Sequence, residues 1–553
     1  MNTTTLPSRI CVGALTFYLV IVLSCYFKNM GGEGLSLPQN ILCWMTMVFV
    51  IALAGYSTGR NKKQLHHVTV TLFILAAGWM SLPLLWSHTV LNSGVILRIV
   101  GIWGAVMFYW ALLQIGFTEK QKHTLLNAVC IAAVIQAGLA VWQLTGPAAD
   151  NWMEFHTGVR PYGIFQQVNV LASFVATGWA ISLFRLVNSK VHYQIFIWLT
   201  VNAFLSFVLY CLQSRAGLAG AILYLALMIV MVRKNNGKVL KSYLSLAAAG
   251  MFCVAAFCLT HWLTISPAGH TLFPALAHVD KASSSHERIA ILQATWQMIM
   301  RHPFSGWGYG SYEYVVNRLA LNNMHHLFPL NVSHPHNEVL FEWAEGGLPA
   351  VMGMLLLLAG AMASLRKANW EVIVLWGTLI PVTVHTMVEY PLYQSTPHLL
   401  VLLLLLRLAD DGKNSVARPL SRVVRYTLPV IVLTGMLFLV TAFRTAAVLT
   451  HFEREGMQDF SVAEQVINPW AQYDRYHYDQ ATSFLMNYNL THHPAFLDRY
   501  VSWGRAYIGY KNDVHVFSNL VAIDKVKPDE ALALQLENEW RTLYRARGVT
   551  QGD

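Results

Sequence analysis

Between residues 333 and 345 the chain reads Ser333-His334-Pro335-His336-Asn337-Glu338, with Glu342 and Glu345 following at spacings of four and three. In a helix that spacing puts the three carboxylates on one face. Histidine is the side chain suited to take a proton from a hydroxyl near neutral pH. Two histidines flanking a proline also suit a metal ion. The carboxylates are the only other ligands nearby, however, and no His-x-x-x-His or Glu-x-x-His pattern supports that reading. The plain alternative is a pair of interfacial histidines at a loop end. A second group is cationic. Arg160 lies in Val159-Arg160-Pro161-Tyr162-Gly163, just before Gln166-Gln167-Val168-Asn169, and Arg215 follows Gln213-Ser214 at a break between two apolar runs. Arg288 opens an amphipathic loop segment, and Arg98 lies within an apolar run. A planar guanidinium binds phosphate oxygens bidentately, so arginines clustered beside an apolar groove have the character of a pyrophosphate site. A lipid-linked phosphate donor satisfies both halves of such a surface. The competing roles are snorkelling for Arg215, helix capping for Gln167 and Asn169, and structural ion pairs for Arg98 and Arg288, for instance with Glu287. Glu389-Tyr390 closes a further apolar run, preceded by His385. A carboxylate with a phenol can orient a histidine or bind sugar hydroxyls.

The elements that must position these residues are membrane helices. The chain of 553 residues is 55% hydrophobic and 12% charged, with a mean hydropathy of +0.44. Apolar runs of about 18 residues or more recur, each long enough to cross a hydrocarbon core as a helix. They are too long and too uniformly apolar for barrel strands. Runs near 10–27, 38–57, 67–87, 94–116, 124–145, 168–186, 193–212, 216–232, 242–262, 338–365, 371–388, 395–408 and 426–448 predict an all-α polytopic bundle of about 12–13 spans. The first run lacks a cleavage pattern and reads as a retained span. The net charge of +10 comes largely from short loops between runs, which is a topology signal and not a nucleic-acid one. With the N-terminus cytoplasmic, every predicted cytoplasmic loop is basic. The segments 146–167, 213–215, 263–337 and 389–394 and the tail from 449 then share the opposite, non-cytoplasmic face. The seven cysteines lie within or at the ends of apolar runs and predict neither a disulfide framework nor a zinc site.

Two polar pieces, the loop 263–337 and the tail from 449, complete the organisation, which divides into a transmembrane bundle over 1–448 that includes that loop and a helical domain over 449–553. Within the loop, about Ser285 to Met300 is predicted helical on the stripe Ile289, Ile291, Leu292, Thr295, Trp296 and Ile299, capped from Ser283–Ser285. In the tail, Ala471–Tyr488, Ala495–Gly509 and Pro528–Arg547 read as stacked amphipathic helices.

The motifs in order are Gly163-Ile-Phe-Gln-Gln167-Val-Asn169, Ser214-Arg215-Ala-Gly217, His302-Pro303-Phe-Ser-Gly306-Trp-Gly308, His334-Pro-His336-Asn337 with Glu345-Gly346-Gly347, and Glu389-Tyr390-Pro391. Together they resemble the O-antigen ligase and polymerase superfamily, and with the helical tail they are most similar to bacterial protein O-oligosaccharyltransferases of the PglL type. The resemblance runs from about residue 150 to the end. It implies a GT-C-like enzyme of the bacterial inner membrane, with its active face and C-terminus periplasmic. Such an enzyme moves a preassembled glycan from undecaprenyl pyrophosphate to a hydroxyl, with no cofactor and no metal. The acceptor would be a protein such as a pilin, or alternatively lipid A core or the growing O-antigen. Carried over by position, His336 would be catalytic, Arg160, Arg215 and Arg288 would hold the pyrophosphate, and Gln167, Asn169, His334, Asn337, Glu389 and Tyr390 would bind substrate. Val168 departs from the proline usual between Gln and Asn, which puts the local turn in question. A transporter or flippase of lipid-linked glycans is the reading from another class; such proteins usually show internal repeats and polar or broken helices at the midplane.

Overall fold

The computed structural model describes residues 5–87, 94–156, 159–234, 239–276, 282–320, 332–366, 368–410 and 415–544. In chain order the helices are α1 (Leu6–Val20), α2 (Pro38–Asn61), α3 (Val68–Ser81), α4 (Val95–Gln114), α5 (Glu119–Leu144), α6 (Val168–Val187), α7 (His192–Leu212), α8 (Arg215–Val232), α9 (Val239–Ile265), α10 (Pro267–Leu272) and α11 (Ala282–Arg301). They continue as α12 (Tyr312–Ala320), α13 (Glu338–Ala363), α14 (Trp370–Gly377), α15 (Ile380–Thr386), α16 (Pro391–Gln394), α17 (Thr396–Ala409), α18 (Arg422–Arg454), α19 (Tyr473–Thr491), α20 (Pro494–Tyr507), α21 (Val514–Val526) and α22 (Glu530–Glu539). Among the described residues, eleven helices are long and apolar enough to cross a membrane, so the chain is a multi-pass membrane protein. The two remaining expected runs, 371–388 and 395–408, form shorter helices: the first is divided into α14 and α15 before Pro381, and the second is α17 with Pro397 in its first turn. A proline has no N–H and starts a helix readily, but it interrupts one that precedes it.

The chain divides into two compact units. The first comprises residues 1–74, 104–279 and 357–440. Its centre is α6, buried along nearly its whole length against α5, α7, α8 and α15. Small residues permit this approach. A methyl group on Gly178 would lie 2.2 Å from Ala133 Cβ, one on Gly217 2.8 Å from Ala172 Cβ, and one on Gly220 2.6 Å from Pro381 Cα. A two-stranded antiparallel ribbon, β1 (Lys63–His66) with β2 (Val416–Pro419), joins two basic loops with Lys63 opposite Pro419; hydropathy gave no sign of it.

The second unit comprises residues 75–103, 280–356 and 441–553. The expected loop helix is α11, longer at both ends than its stripe indicated, and its side chains at 283–285 lie outside the described residues. The stripe resolves into two rows. Ile291, Thr295 and Ile299 are buried with Tyr312, Val316, Phe341 and Ala344, whereas Ile289, Leu292 and Trp296 are exposed. In the tail, α19 to α22 stack consecutively around Leu497, Tyr500, Val516, Phe517, Leu520, Leu532 and Leu536. Helix α21 was not foreseen. The tail meets α12 through polar contacts: Lys511 Nζ lies 3.0 Å from Glu313 Oε2, the Asn512 N–H donates to Glu313 Oε1 at 3.1 Å, and Arg318 pairs with Glu539 at 2.5 Å.

Candidate active site

In the second unit, Asn337 caps α13, its Oδ1 accepting the Leu340 N–H at 3.0 Å. His336, one residue earlier, adopts the left-handed conformation with φ 55°. That conformation costs an L-residue on the order of 1 kcal/mol and recurs at functional positions. The turn is tied by the His336 N–H donating to His334 Nδ1 at 2.9 Å. With Nδ1 the acceptor, neutral His334 carries its proton on Nε2, 4.0 Å from Glu338 Oε2. His334 is 6% exposed, and burial, with His336 and Arg98 nearby, holds it well below the usual histidine range. It is the buried strut of the turn, while the His336 side chain is half-buried.

The carboxylates on α13 are internal. Glu345 Oε2 accepts Arg98 Nη2 at 2.8 Å, and its Oε1 accepts the Gly310 and Tyr312 N–H groups at 2.9 and 3.0 Å. Tyr309 donates to Glu342 Oε2 at 3.2 Å, and the Arg98 guanidinium lies 4.3 Å from the Tyr309 ring centre. Arg98 is therefore an ion-pair residue as its alternative reading had it, with Glu345 as partner in place of the suggested Glu287. Helix α13 breaks at Gly347, φ 63° and ψ −156°. The break removes the intrahelical donors for two carbonyls, since Leu348 N–H turns away to Phe304 O at 2.9 Å and Pro349 has no N–H. The His302–Gly308 loop fills the gap: Trp307 N–H donates to Ala344 O at 3.0 Å and Gly308 N–H to Glu345 O at 2.9 Å. Two separated sequence motifs are thus one hydrogen-bonded joint, in which the loop supplies the donors that the Ala344 and Glu345 carbonyls lose at the break. Beside it, Ile289, Leu292, Gln293, Trp296, Gln297 and Leu340 line a shallow apolar groove of about 620 Å³. Arg288 is on α11, half-buried.

In the first unit, segments far apart in sequence converge on the N-terminal ends of α6 and α8. Gln167 is the N-cap of α6, its Oε1 accepting Val170 N–H at 2.8 Å. Val168 is the first helical residue, where a proline would have been preorganised but is not required; the turn in question is intact. Asn169 donates to Glu389 Oε1 at 3.4 Å and accepts Ser214 Oγ at 2.8 Å, while Ser214 caps α8. Arg215 is the exposed first residue of α8. Arg160 donates to the Leu212 carbonyl at 3.4 Å, and partial burial lowers its affinity for its proton without neutralising it. Arg160, Asn169, Ser214, Arg215 and Glu389 therefore form one neighbourhood. Tyr390, half-buried, precedes α16. Beneath lies a buried network: Ser173 Oγ is 2.8 Å from His385 Nδ1 and 3.2 Å from His398 Nε2.

None of the resemblance motifs falls in the first five spans, yet α5 holds the Arg160 loop in place. Gln143 Oε1 accepts the Tyr162 and Gly163 N–H groups at 2.9 and 2.8 Å, its Nε2 donates to Gly163 O at 3.1 Å, and Gln136 Oε1 accepts Ile164 N–H at 3.1 Å. Both glutamines are fully buried. Their signal was two amides seven residues apart in an apolar helix, where an unsatisfied polar group is costly. Of the seven non-glycine residues with positive φ among the described residues, Gln166, Gln213 and His336 fall in or beside these motifs. The described residues contain no group of three or more His, Cys, Asp or Glu placed to hold a metal ion.

Three family models match successive parts of the chain. One described as protein glycosylation ligase matches residues 161–186, one described as O-antigen ligase matches 200–376, and one described as virulence factor membrane-bound polymerase, C-terminal, matches 373–551. A general O-oligosaccharyltransferase from Acinetobacter baylyi is 22% identical over 321 residues, which is 56% of this chain and 54% of the relative. The match thus spans about half the length of that curated protein. The first model covers Gln167 and Asn169, the second Arg215, Arg288 and His336, and the third Glu389, Tyr390 and the tail.

Proposed function

We propose, from its matches to the O-antigen ligase and protein glycosylation ligase models, that the chain is a glycosyltransferase of the bacterial inner membrane. It transfers a preassembled oligosaccharide from undecaprenyl pyrophosphate to a hydroxyl acceptor, most consistently a serine or threonine of a periplasmic protein such as a pilin. In this reading the N-terminus is cytoplasmic and both clusters face the periplasm. His336 takes the proton from the acceptor hydroxyl as that oxygen attacks the anomeric carbon. The bond from that carbon to the pyrophosphate oxygen breaks with inversion, and the leaving pyrophosphate carries the negative charge. Arg160, Arg215 and Arg288 bind and stabilise that charge, helped for Arg215 by the positive end of α8. Gln167, Asn169, His334, Asn337, Glu389 and Tyr390 position the substrates, Gln167 and Asn337 by capping and His334 by bracing the His336 turn. The apolar groove beside Leu340 suits part of the polyprenyl chain.

The observation that carries this reading is the left-handed, capped turn that holds His336 at the start of α13 against a buried His334. The test is His336→Ala in membranes containing a lipid-linked glycan and a pilin acceptor. Glycan transfer is expected to fall by about 10²-fold or more at unchanged protein level, and full activity would overturn the assignment. Transfer is expected to persist in EDTA. The match of the tail to a polymerase C-terminal model favours one second reading, growth of the glycan itself. Expression in a ligase-null cell separates the two: a mass shift on the pilin supports protein transfer, whereas longer lipid-linked chains or modified lipopolysaccharide support polymerase or ligase activity.

A further inference from the structure

Helix α18 has 33 residues, more than a bilayer requires. Its exposed Arg425 and Arg444 bracket the apolar stretch, and the 19 residues from one to the other rise about 28 Å at 1.5 Å each, close to one hydrocarbon thickness. Taking these two arginines as the headgroup-level limits of the span puts Thr441–Thr445 level with one membrane–water boundary, and the last turns to Arg454 about 15 Å beyond it.

The chain then turns back. Phe460 packs on Phe452 with ring centres 5.4 Å apart, and Ala463 joins Leu449 in the same buried cluster. Asn468 reaches the boundary level: its carbonyl accepts Thr445 Oγ1 at 3.0 Å and its Nδ2 donates to Thr441 Oγ1 at 3.0 Å. From there α19 climbs again, with Arg475 bound to both Glu453 oxygens at 2.8 and 2.5 Å. At the bottom of this loop the two flanking apolar side chains point outward. Ile467 is 64% and Trp470 58% exposed, and Trp470 stacks on Tyr473 at 5.3 Å. A polar return segment that descends to the boundary and presents isoleucine and tryptophan there matches what the interfacial zone of a bilayer accommodates.

We propose that the Ile467–Trp470 loop is an interfacial anchor, seated among the headgroups and upper acyl chains of the leaflet through which α18 leaves the membrane. The occupant of this patch is lipid. The anchor gives the tail a direct attachment to lipid, in addition to α18 itself and to its polar contacts with α12. Nothing in this depends on the transfer reaction.

The test places an environment-sensitive fluorescent amino acid at 467 in the full chain in lipid nanodiscs, with a second chain labelled at the exposed Leu534 of α22 as reference. Quenching is measured with nitroxide-bearing phospholipid and with aqueous iodide. The expected result at 467 is a blue-shifted emission quenched by the lipid nitroxide and protected from iodide, with the reverse at 534. Iodide quenching at 467 equal to that at 534 would show a water-exposed loop and overturn the proposal. Shielding from both quenchers would also overturn it, because a protein surface would then be the occupant.

Discussion

His334 and His336 have the same residue type two positions apart and opposite physical situations. One is a neutral, buried strut whose Nδ1 holds the turn, and the other is half-buried on a left-handed backbone. Their difference makes a pH prediction. Because burial, reinforced by His336 and Arg98, holds the His334 imidazole well below its ordinary range, the unfolded chain binds a proton that the folded chain does not. The stability that follows is complete above the unfolded value near pH ~6.5 and is lost as pH falls below it. The thermal unfolding midpoint in detergent is expected to drop from pH 7.5 to 5.5, and to drop less in His334→Asn. Gln143 supplies a second residue-scale prediction. Gln143→Leu strips the partners from the Tyr162 and Gly163 N–H groups and the Gly163 carbonyl, a cost of about 1–3 kcal/mol for each group left buried and unsatisfied. A lowered unfolding midpoint together with weakened transfer would be the readout, since the same turn carries Arg160.

At the scale of elements, the joint between the His302–Gly308 loop and broken α13 depends on two glycines. Gly347 has φ 63°, and a methyl group there would lie 2.3 Å from the Phe304 carbonyl; on Gly306, φ 66°, it would lie 2.2 Å from the Glu345 carbonyl. Neither neighbour is a flexible side chain that can move aside. Gly347→Ala is expected to destabilise by more than about 2 kcal/mol, read as loss of monodisperse protein after extraction. Gly13→Ala, with no atom within 4 Å, serves as the neutral control. The short helices α14 to α17 follow the same logic of broken backbone. Pro381, Pro391 and Pro397 each start a segment, and Asn40 fills the gap so opened by donating to Gln394 O and accepting Thr396 N–H, both at 2.9 Å.

At the scale of the whole molecule, the tail is held to α12 by Glu313, Arg318, Lys511, Asn512 and Glu539. These are partly buried polar contacts, so Arg318→Ala is expected to speed proteolytic release of fragments beyond residue 455 while leaving membrane insertion unchanged, as read by limited digestion and blotting. The residue sequence by itself determined the membrane character, the placement of the spans, most of the tail helices and the motif order that points to glycan transfer. Those properties follow from local hydropathy, helical period and residue type along a continuous stretch. The tertiary structure alone decided which polar groups meet: Arg98 with Glu345, Asn169 with Ser214 and Glu389, Gln143 with the Arg160 turn. Each such pair joins segments tens to hundreds of residues apart, and which one forms depends on how apolar helices pack at close-approach glycines. A lone amide or arginine in an apolar run signals that a partner must exist, because burial without one is costly, but it carries no information about where along the chain that partner lies.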